Sequence, residues 1–587
     1  MEIINESGMV EEKGFSRRTF LTGAAVTAMA AMSAGMLVGC GQGKSADEGA
    51  ADGKADAAAA SEADNIDPVA VPASWDEEFD VIVVGSGGGL FGAVRAAELG
   101  ANVCCVEKSA SVGGASKESS IFAVSGTKVQ LEAGLPDISA MMIQGSLAKQ
   151  TPGAGNEKSI INIGMTATRT MDWVSDLGLE LEPTTTGGPQ GGMTGVSPAG
   201  KELDGLAART NIYAYTFLEE QLKAMGGTLK LNTKMIGLVK DGDAIVGIQV
   251  DDENGEVKHL KANKGVILAA GGMCSNREML AKYVPSAYYR VKCSSAGTQD
   301  SGESIRMGLG AGAELGGFDS YQAFDGGIND VPWDYYLYNG DIQLARQAWL
   351  GIDSRGNRVP YYTSVAKYGA QGTLYQNLPG SQKYCIFDSH YEEYAESFDQ
   401  ECCRHLIVPT MPDIDRIPEA LIEHDWKLGA QRGIEAGRIK KADTLEELAE
   451  LLGLDAGIVT AAVEKWNADV AAGPESLDGI PGAWLHPVAD GPFYGVAIGS
   501  IMFSTQTGLL VNENMQVIST KGTVIPGLYA AGSNAGGQCG PDASYGLCLE
   551  PQGGVCYAAT TAFMAGEHVM GALPEFKMPE FLLQPAQ

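Results

Sequence analysis

The chain has 587 residues, enough for two or three domains, and 44% hydrophobic with 19% charged residues is the composition of a folded globular protein, which excludes general disorder. Its 73 acidic residues outnumber 41 basic ones for a net charge of −32, so nucleic acid is a poor partner; a basic redox partner would be steered well, and a merely solubilising surface is the plainer reading. The eleven Cys form neither CxxC nor CxxCH, "ECCRH" at 401–405 being the nearest miss, so neither metal nor haem is expected.

In chain order, "GFSRRTFLTGAAVTAMAAMSAGMLVGC" (14–40) sets Arg17 and Arg18 before an apolar run too short to span a bilayer comfortably. It resembles a twin-arginine export signal, and Leu37 to Cys40 resemble a lipobox that leaves Cys40 as the lipidated first residue; a retained anchor helix is the alternative. The signal implies a cofactor loaded before export and used on the outer face of the cytoplasmic membrane, where NADH and NADPH are lacking. Residues 1–39 are read as signal peptide. Residues 40–75, with almost no large apolar residue, are read as a disordered tether.

The next stretch, "FDVIVVGSGGGLFGAVRAAELGANVCCVEK" (79–108), predicts a buried parallel strand, a glycine turn, a helix and a second strand. In such a unit Gly85 makes the turn, Gly87 lets the backbone approach a pyrophosphate, and the helix N-terminus offers free N–H groups to that anion. Position six of the fingerprint is Leu90, so the third glycine role passes to Gly89 in a turn one residue shorter. Glu107, 22 residues after Gly85, is placed to accept from a ribose. A glycine turn without a ligand is the bland alternative. Cys104 and Cys105 read as small hydrophobes of the second strand.

A second glycine turn follows directly in "KSASVGGASKESS" (108–120). Here the chain resembles the flavoprotein family that includes soluble fumarate reductases, urocanate reductase and 3-ketosteroid dehydrogenases. The likeness continues through "TMDWVSDLGLELEP" (170–183), "KGVILAAGGMCSNREMLAKY" (264–283), "GTQDSGESIRMGLGAGAEL" (297–315), "DTLEELAELLGLD" (443–455) and "GTVIPGLYAAGSNAGG" (522–537), covering nearly all of 76–570. It implies an α/β fold: a Rossmann-like FAD-binding domain of the glutathione-reductase type, in two parts (76–322 and 504–575), with an inserted α+β cap (323–503).

The cofactor implied is FAD. By the resemblance its contacts come from Gly85, Ser86, Gly87, Gly88 and Gly89, then from Glu107 and Lys108, and then from Gly113, Gly114, Ala115, Ser116 and Ser120. Ala270 and Gly271 would end a strand against it, Asp300 would reach a cofactor hydroxyl, and Gly532 with Ser533 would lie near the ribityl chain, although most members carry Glu at the place of Ser533. "SYGLCLEPQGGVCYAATTAFMAGEHV" (544–569) suggests a helix from near Leu549, next to Cys548, whose dipole would stabilise negative charge on the reduced flavin.

The residues with which soluble fumarate reductases hold a dicarboxylate have no counterpart here. The resemblance puts Ala323 or Phe324 and then Phe503 and Ser504 in the histidine places, and Ala366 and Ala543 or Asp542 in the arginine places. The cap holds Phe324, Trp333, Tyr335, Tyr336, Tyr338, Trp349, Tyr361 and Tyr362, flat faces suited to a ring-containing substrate or, equally, to a cap core. Tyr545 stands just before Gly546, where ketosteroid-type relatives place hydroxyls and a glycine N–H. It is the expected proton donor or carbonyl polariser with the Gly546 N–H beside it, and a cap Tyr such as Tyr336 is the second hydroxyl. The Tyr that those relatives carry four residues before the glycine falls here at Asp542.

These features predict an exported reductase of an activated C=C bond in an enone or cinnamate-like acceptor, with hydride from the flavin and a proton from a Tyr. No haem motif or second dinucleotide fingerprint is present, so electrons are expected from a membrane-anchored multihaem cytochrome or another quinol-linked donor. The alternatives are ketosteroid-type dehydrogenation, fumarate reduction, and an FAD-binding electron-transfer or ligand-binding protein without turnover.

Overall fold

The computed structural model describes residues 65–119, 121–148, 157–186, 193–200, 211–297, 299–335, 339–361, 368–398, 426–538 and 554–583. The expected signal peptide (1–39) and residues 40–64 of the expected tether lie outside them, whereas residues 65–75, expected as disordered tether, are ordered: Val69 and Ala70 pair in parallel with Val239 and Lys240 of the main sheet. Strand β1 (Glu77–Val84) is the expected buried run, followed by helix α1 (Gly89–Glu98) and strand β2 (Val103–Val106), which stops one residue before Glu107. Cys104 and Cys105 are fully buried in β2, and burial pushes the Cys104 thiol up to about 12. Helices α2 (Glu157–Asp176) and α3 (Asn211–Ala224) precede β3 (Thr228–Lys230) and the long β4 (Val257–Leu268). β4 stops two residues short of Ala270, which with Gly271 lies in the loop beyond and not at the strand end.

The cap is built on one strand. After β5 (Tyr321–Ile328), helix α4 (Gly340–Ala345), β6 (Gln382–Phe387) and helix α5 (Trp426–Glu435), the thirteen-residue β7 (Phe493–Thr505) pairs with both β5 and β6, and also with 440–442 and 291–294. The last of these pairs parallel to β7 and precedes the expected start of the cap, so the cap sheet is spliced into the FAD-binding part of the chain. Two apolar cores meet on β5 and β7: Ala323 and Met502 pack in the first, Phe324 and Ile501 in the second.

The chain then returns through β8 (Val524–Ala530) and helix α6 (Gly554–Val569). β8, β4, β1, β2 and β3 are successive parallel neighbours, and Val84, Val106, Leu268 and Ala530 stand in register at their C-terminal ends. α6 crosses α1 backbone to backbone: a Cβ on Gly92 would strike the carbonyl oxygen of Ala562, and one on Gly566 would meet that of Gly92. The crossing is clamped by Glu567, 1% exposed, which accepts from Arg95 of α1 (2.8 Å) and from both terminal nitrogens of Arg169 in α2 (2.7 and 2.8 Å). Both guanidinium groups also lie over the Phe563 ring.

Candidate active site

The loops leaving the aligned ends of β1, β2, β4 and β8 converge, as ligand sites do in open α/β sheets. Gly85 leaves β1 with φ +97° and donates to the Val106 carbonyl (2.8 Å); a Cβ there would strike the Ala269 carbonyl, so a side chain is excluded by both strain and space. At Gly87 a Cβ would stand 3.3 Å from Ser116 Oγ, which keeps bare backbone between the two glycine turns. Gly88 faces Ala558 of α6, and Gly89 sits where a Cβ would meet Val83 (2.9 Å) and Ala269 (3.1 Å), the close helix-to-strand approach. α1 then starts with no side-chain cap and no acidic residue in its first turn, leaving its N–H groups and positive end available to an anion.

Glu107 is 7% exposed and holds the two turns together. Its Oε2 accepts from the amide (2.9 Å) and hydroxyl (2.7 Å) of Ser86, and its Oε1 from the Ser109 amide (2.9 Å). Of a carboxylate's four or so acceptor positions, about one remains, which fits a ribose hydroxyl. Ser86, expected against the cofactor, is fully buried instead, and its hydroxyl also accepts from the Gly113 amide (3.1 Å). Lys108 likewise turns onto the protein, donating to the Gln299 carbonyl (2.8 Å) and Ser301 Oγ (3.1 Å). Gly113 packs on the Tyr215 ring, while Gly114, Ala115 and Ser116 form a short 3-10 turn.

Beyond β4, the carboxylate of Asp300 accepts from the Cys274 amide (3.1 Å), and burial holds its pKa above the carboxylate range. It therefore braces the 271–274 loop, and any contact with a cofactor hydroxyl is additional to that. The residue that sequence reasoning missed is Asn534, fully buried after β8: its Oδ1 accepts from the Ala270 amide (2.6 Å) and its Nδ2 donates to the Gly271 carbonyl (2.6 Å) and Ser304 Oγ (2.8 Å). Its signal was a bare amide among apolar residues in "LYAAGSN". Gly532 donates to Thr561 of α6 (2.9 Å), and Ser533 Oγ lies 3.2 Å from Ser504 Oγ of β7.

That last contact joins the loop after β8 to the wall of the cap. Phe503 and Phe324, on paired strands, meet edge to face with centroids 4.4 Å apart. The neighbouring Asp325 is fully buried, its Oδ1 3.3 Å from Arg346 Nη2. The other described cap aromatics are largely structural. Trp349 packs on Phe387 and Phe398, Tyr361 is 2% exposed in the cap core, and Trp333 donates to the Cys274 carbonyl (2.7 Å). The Tyr335 hydroxyl donates to buried Asp341 (2.8 Å), and burial together with that carboxylate holds its pKa well above the usual phenol range, so it is a poor proton donor. Large rings bury much apolar area, which places most of them in the core before any ligand is considered. Ser120, Tyr336, Tyr545, Gly546, Cys548 and Leu549 lie outside the described residues, as do Tyr338, Tyr362 and the start of the helix expected near Leu549.

A side-chain-free turn against an uncapped helix, an acidic residue at the next strand end and a second sheet that reaches the loops after the same strands through Ser504 and Trp333 define a dinucleotide-binding flavoprotein. The chain belongs to the FAD-binding flavoprotein family expected from its sequence, since the FAD binding domain model matches residues 80–546, and FAD is its cofactor. It is similar to the urocanate reductase of Eggerthella lenta (29% identical over 477 residues, 80% of this chain and 72% of that one) and to the vinyl phenol reductase of Lactiplantibacillus plantarum (26% over 499 residues, 84% and 96%). It also matches the NADH:fumarate oxidoreductase of Klebsiella pneumoniae (26% over 464 residues), of whose length it spans only 45%. In fold it is similar to the 3-ketosteroid-Δ4-(5α)-dehydrogenase of Rhodococcus jostii RHA1, with TM-score 0.61, 23% identity, and 85% of this chain and all of that one covered.

The residues present fit FAD: the Gly85–Gly87 turn and the α1 N-terminus would take the diphosphate, and the spare acceptor of Glu107 would take the ribose. Glu107→Ala should remove three hydrogen bonds as well as that acceptor and weaken FAD binding by about 10- to 100-fold, from roughly 1.5–3 kcal/mol for bonds to a charged group. Flavin absorbance per chain after gel filtration measures it. Full flavin retention would mean that the ribose is bound elsewhere.

Proposed function

We propose that the chain is an FAD-dependent reductase of an activated C=C bond in a ring-containing acceptor, an enone or a cinnamate-like compound, and not of a small dicarboxylate. The observation that carries this reading is the Phe324–Phe503 ring pair on β5 and β7, next in sequence to Ser504, which reaches the loop after β8 at Ser533. A carboxylate buried without a paired cation costs several kcal/mol, and the places where the resemblance expects His and Arg hold Phe503, Ser504 and Ala366, whereas an aromatic or alicyclic ring gains contact area. The names of the urocanate and vinyl phenol reductases support it, since in both compounds a C=C bond is conjugated to a ring.

When bound, FAD supplies the hydride-transferring centre. The chain's part is to orient the acceptor and move one proton: Tyr545 protonates the α-carbon or polarises the acceptor carbonyl, the Gly546 N–H is a second donor, and Tyr336 is the second hydroxyl of the cap. The positive end of α6 favours negative charge developing in front of it. Electrons come from a membrane-anchored multihaem cytochrome or another quinol-linked donor, and the protein works outside the cytoplasmic membrane on a lipid anchor at Cys40, a reading supported by the Arg17–Arg18 pair and the 37–40 sequence.

The test is anaerobic reduction with dithionite followed by a panel of acceptors, read as recovery of flavin absorbance. Ring-bearing enones and cinnamates should reoxidise the protein, and fumarate should not. Faster reoxidation by fumarate would overturn the substrate class, and reoxidation by no alkene would make the protein an electron carrier or ligand binder.

A further inference from the structure

We propose that Asp388, His390 and Asp490 form a divalent-metal site on the cap, suited to Zn²⁺ or another ion that accepts nitrogen and carboxylate ligands. Phe387 at the end of β6 pairs with Tyr494 near the start of β7, so the turn that leaves β6 and the turn that enters β7 lie side by side. His390 Nδ1 stands 3.5 Å from Asp388 Oδ1 and 3.8 Å from Asp490 Oδ2, and the three ligand atoms lie within 4.8 Å of one another. Nδ1 is itself buried and makes no hydrogen bond. Its separations from the two carboxylates are too long for hydrogen bonds, yet ligand atoms held 2.0–2.1 Å from a tetrahedral ion stand about 3.4 Å apart.

The ligands are held by backbone amides of the two turns and by neighbouring rings. Asp388 is 1% exposed; its Oδ2 accepts from the amides of Ala489 (3.0 Å) and Asp490 (3.2 Å), and its Oδ1 from the His390 amide (3.0 Å), leaving one lone pair of Oδ1 free to bind an ion. The His390 ring lies on Tyr394 (5.6 Å, 29°), which stacks on His486 (4.0 Å, 2°). His390 and Asp490 are open to solvent on the other side, which provides an entry path and a fourth position for water. The cysteine pattern argued against thiolate metal sites and was blind to this one, in which Asp490 lies 100 and 102 residues beyond His390 and Asp388. A bound ion would clip the two turns together and stabilise the cap.

Zinc alone is the probe, titrated calorimetrically into the untagged, FAD-loaded full chain. The expected result is one zinc per chain with a raised unfolding temperature. Affinity should fall at least about tenfold in both His390→Ala and Asp490→Asn. Both positions are surface-accessible and away from the FAD loops, so flavin content should stay unchanged and report intact folding. No stoichiometric binding at millimolar zinc, or wild-type affinity in His390→Ala, would reduce the cluster to an ordinary contact between an imidazole and two acidic side chains and overturn the proposal.

Discussion

Glu567→Ala should destabilise the protein by roughly 3 kcal/mol, the lower end of what breaking a buried ion pair costs. The side chain is 1% exposed and serves two guanidinium groups, so its removal takes this partner from Arg169 and leaves Arg95 paired with Glu98 alone, both over the Phe563 ring. The lower end applies because Arg169 is 39% exposed and can swing into water. Denaturant midpoints at unchanged m-value measure the effect, and Glu567→Gln, which keeps shape and part of the hydrogen bonding, should fall between variant and wild type. Because α6 abuts the N-terminal turn of α1, FAD retention should decline with stability. A loss under about 1 kcal/mol would mean that the bare-backbone crossing at Gly92 and Gly566 holds the helices unaided.

Tyr545→Phe should lower turnover by about two orders of magnitude while leaving FAD bound, the usual contribution of a positioned acid and equivalent to about 2.7 kcal/mol of barrier. Loss of a proton donor lowers kcat with little effect on flavin content, whereas a packing role would change stability and leave kcat nearly intact. Unchanged turnover would remove Tyr545 from the mechanism. The second hydroxyl would then have to come from Tyr336, Tyr338 or Tyr362, because Tyr335 is committed to Asp341 and Tyr361 to the cap core.

The strand, turn and helix at 77–98 could be read from the chain alone, because these depend on local rules: β-branched runs seek burial and glycine admits the tight turn. The same holds for the family, whose motifs are short and contiguous. Which protein partners each polar side chain bonds could not be read this way. Ser86, Lys108 and Asp300 stand in motif positions yet turn onto protein partners, while Asn534 ties together two loops that are 263 residues apart. Those outcomes, like the Phe324–Phe503 wall, the Glu567 clamp and the Asp388–His390–Asp490 cluster, depend on strand register and helix crossing. A hydrogen bond is decided by distances of a few tenths of an ångström between segments far apart in the chain, and only the packed fold sets those distances.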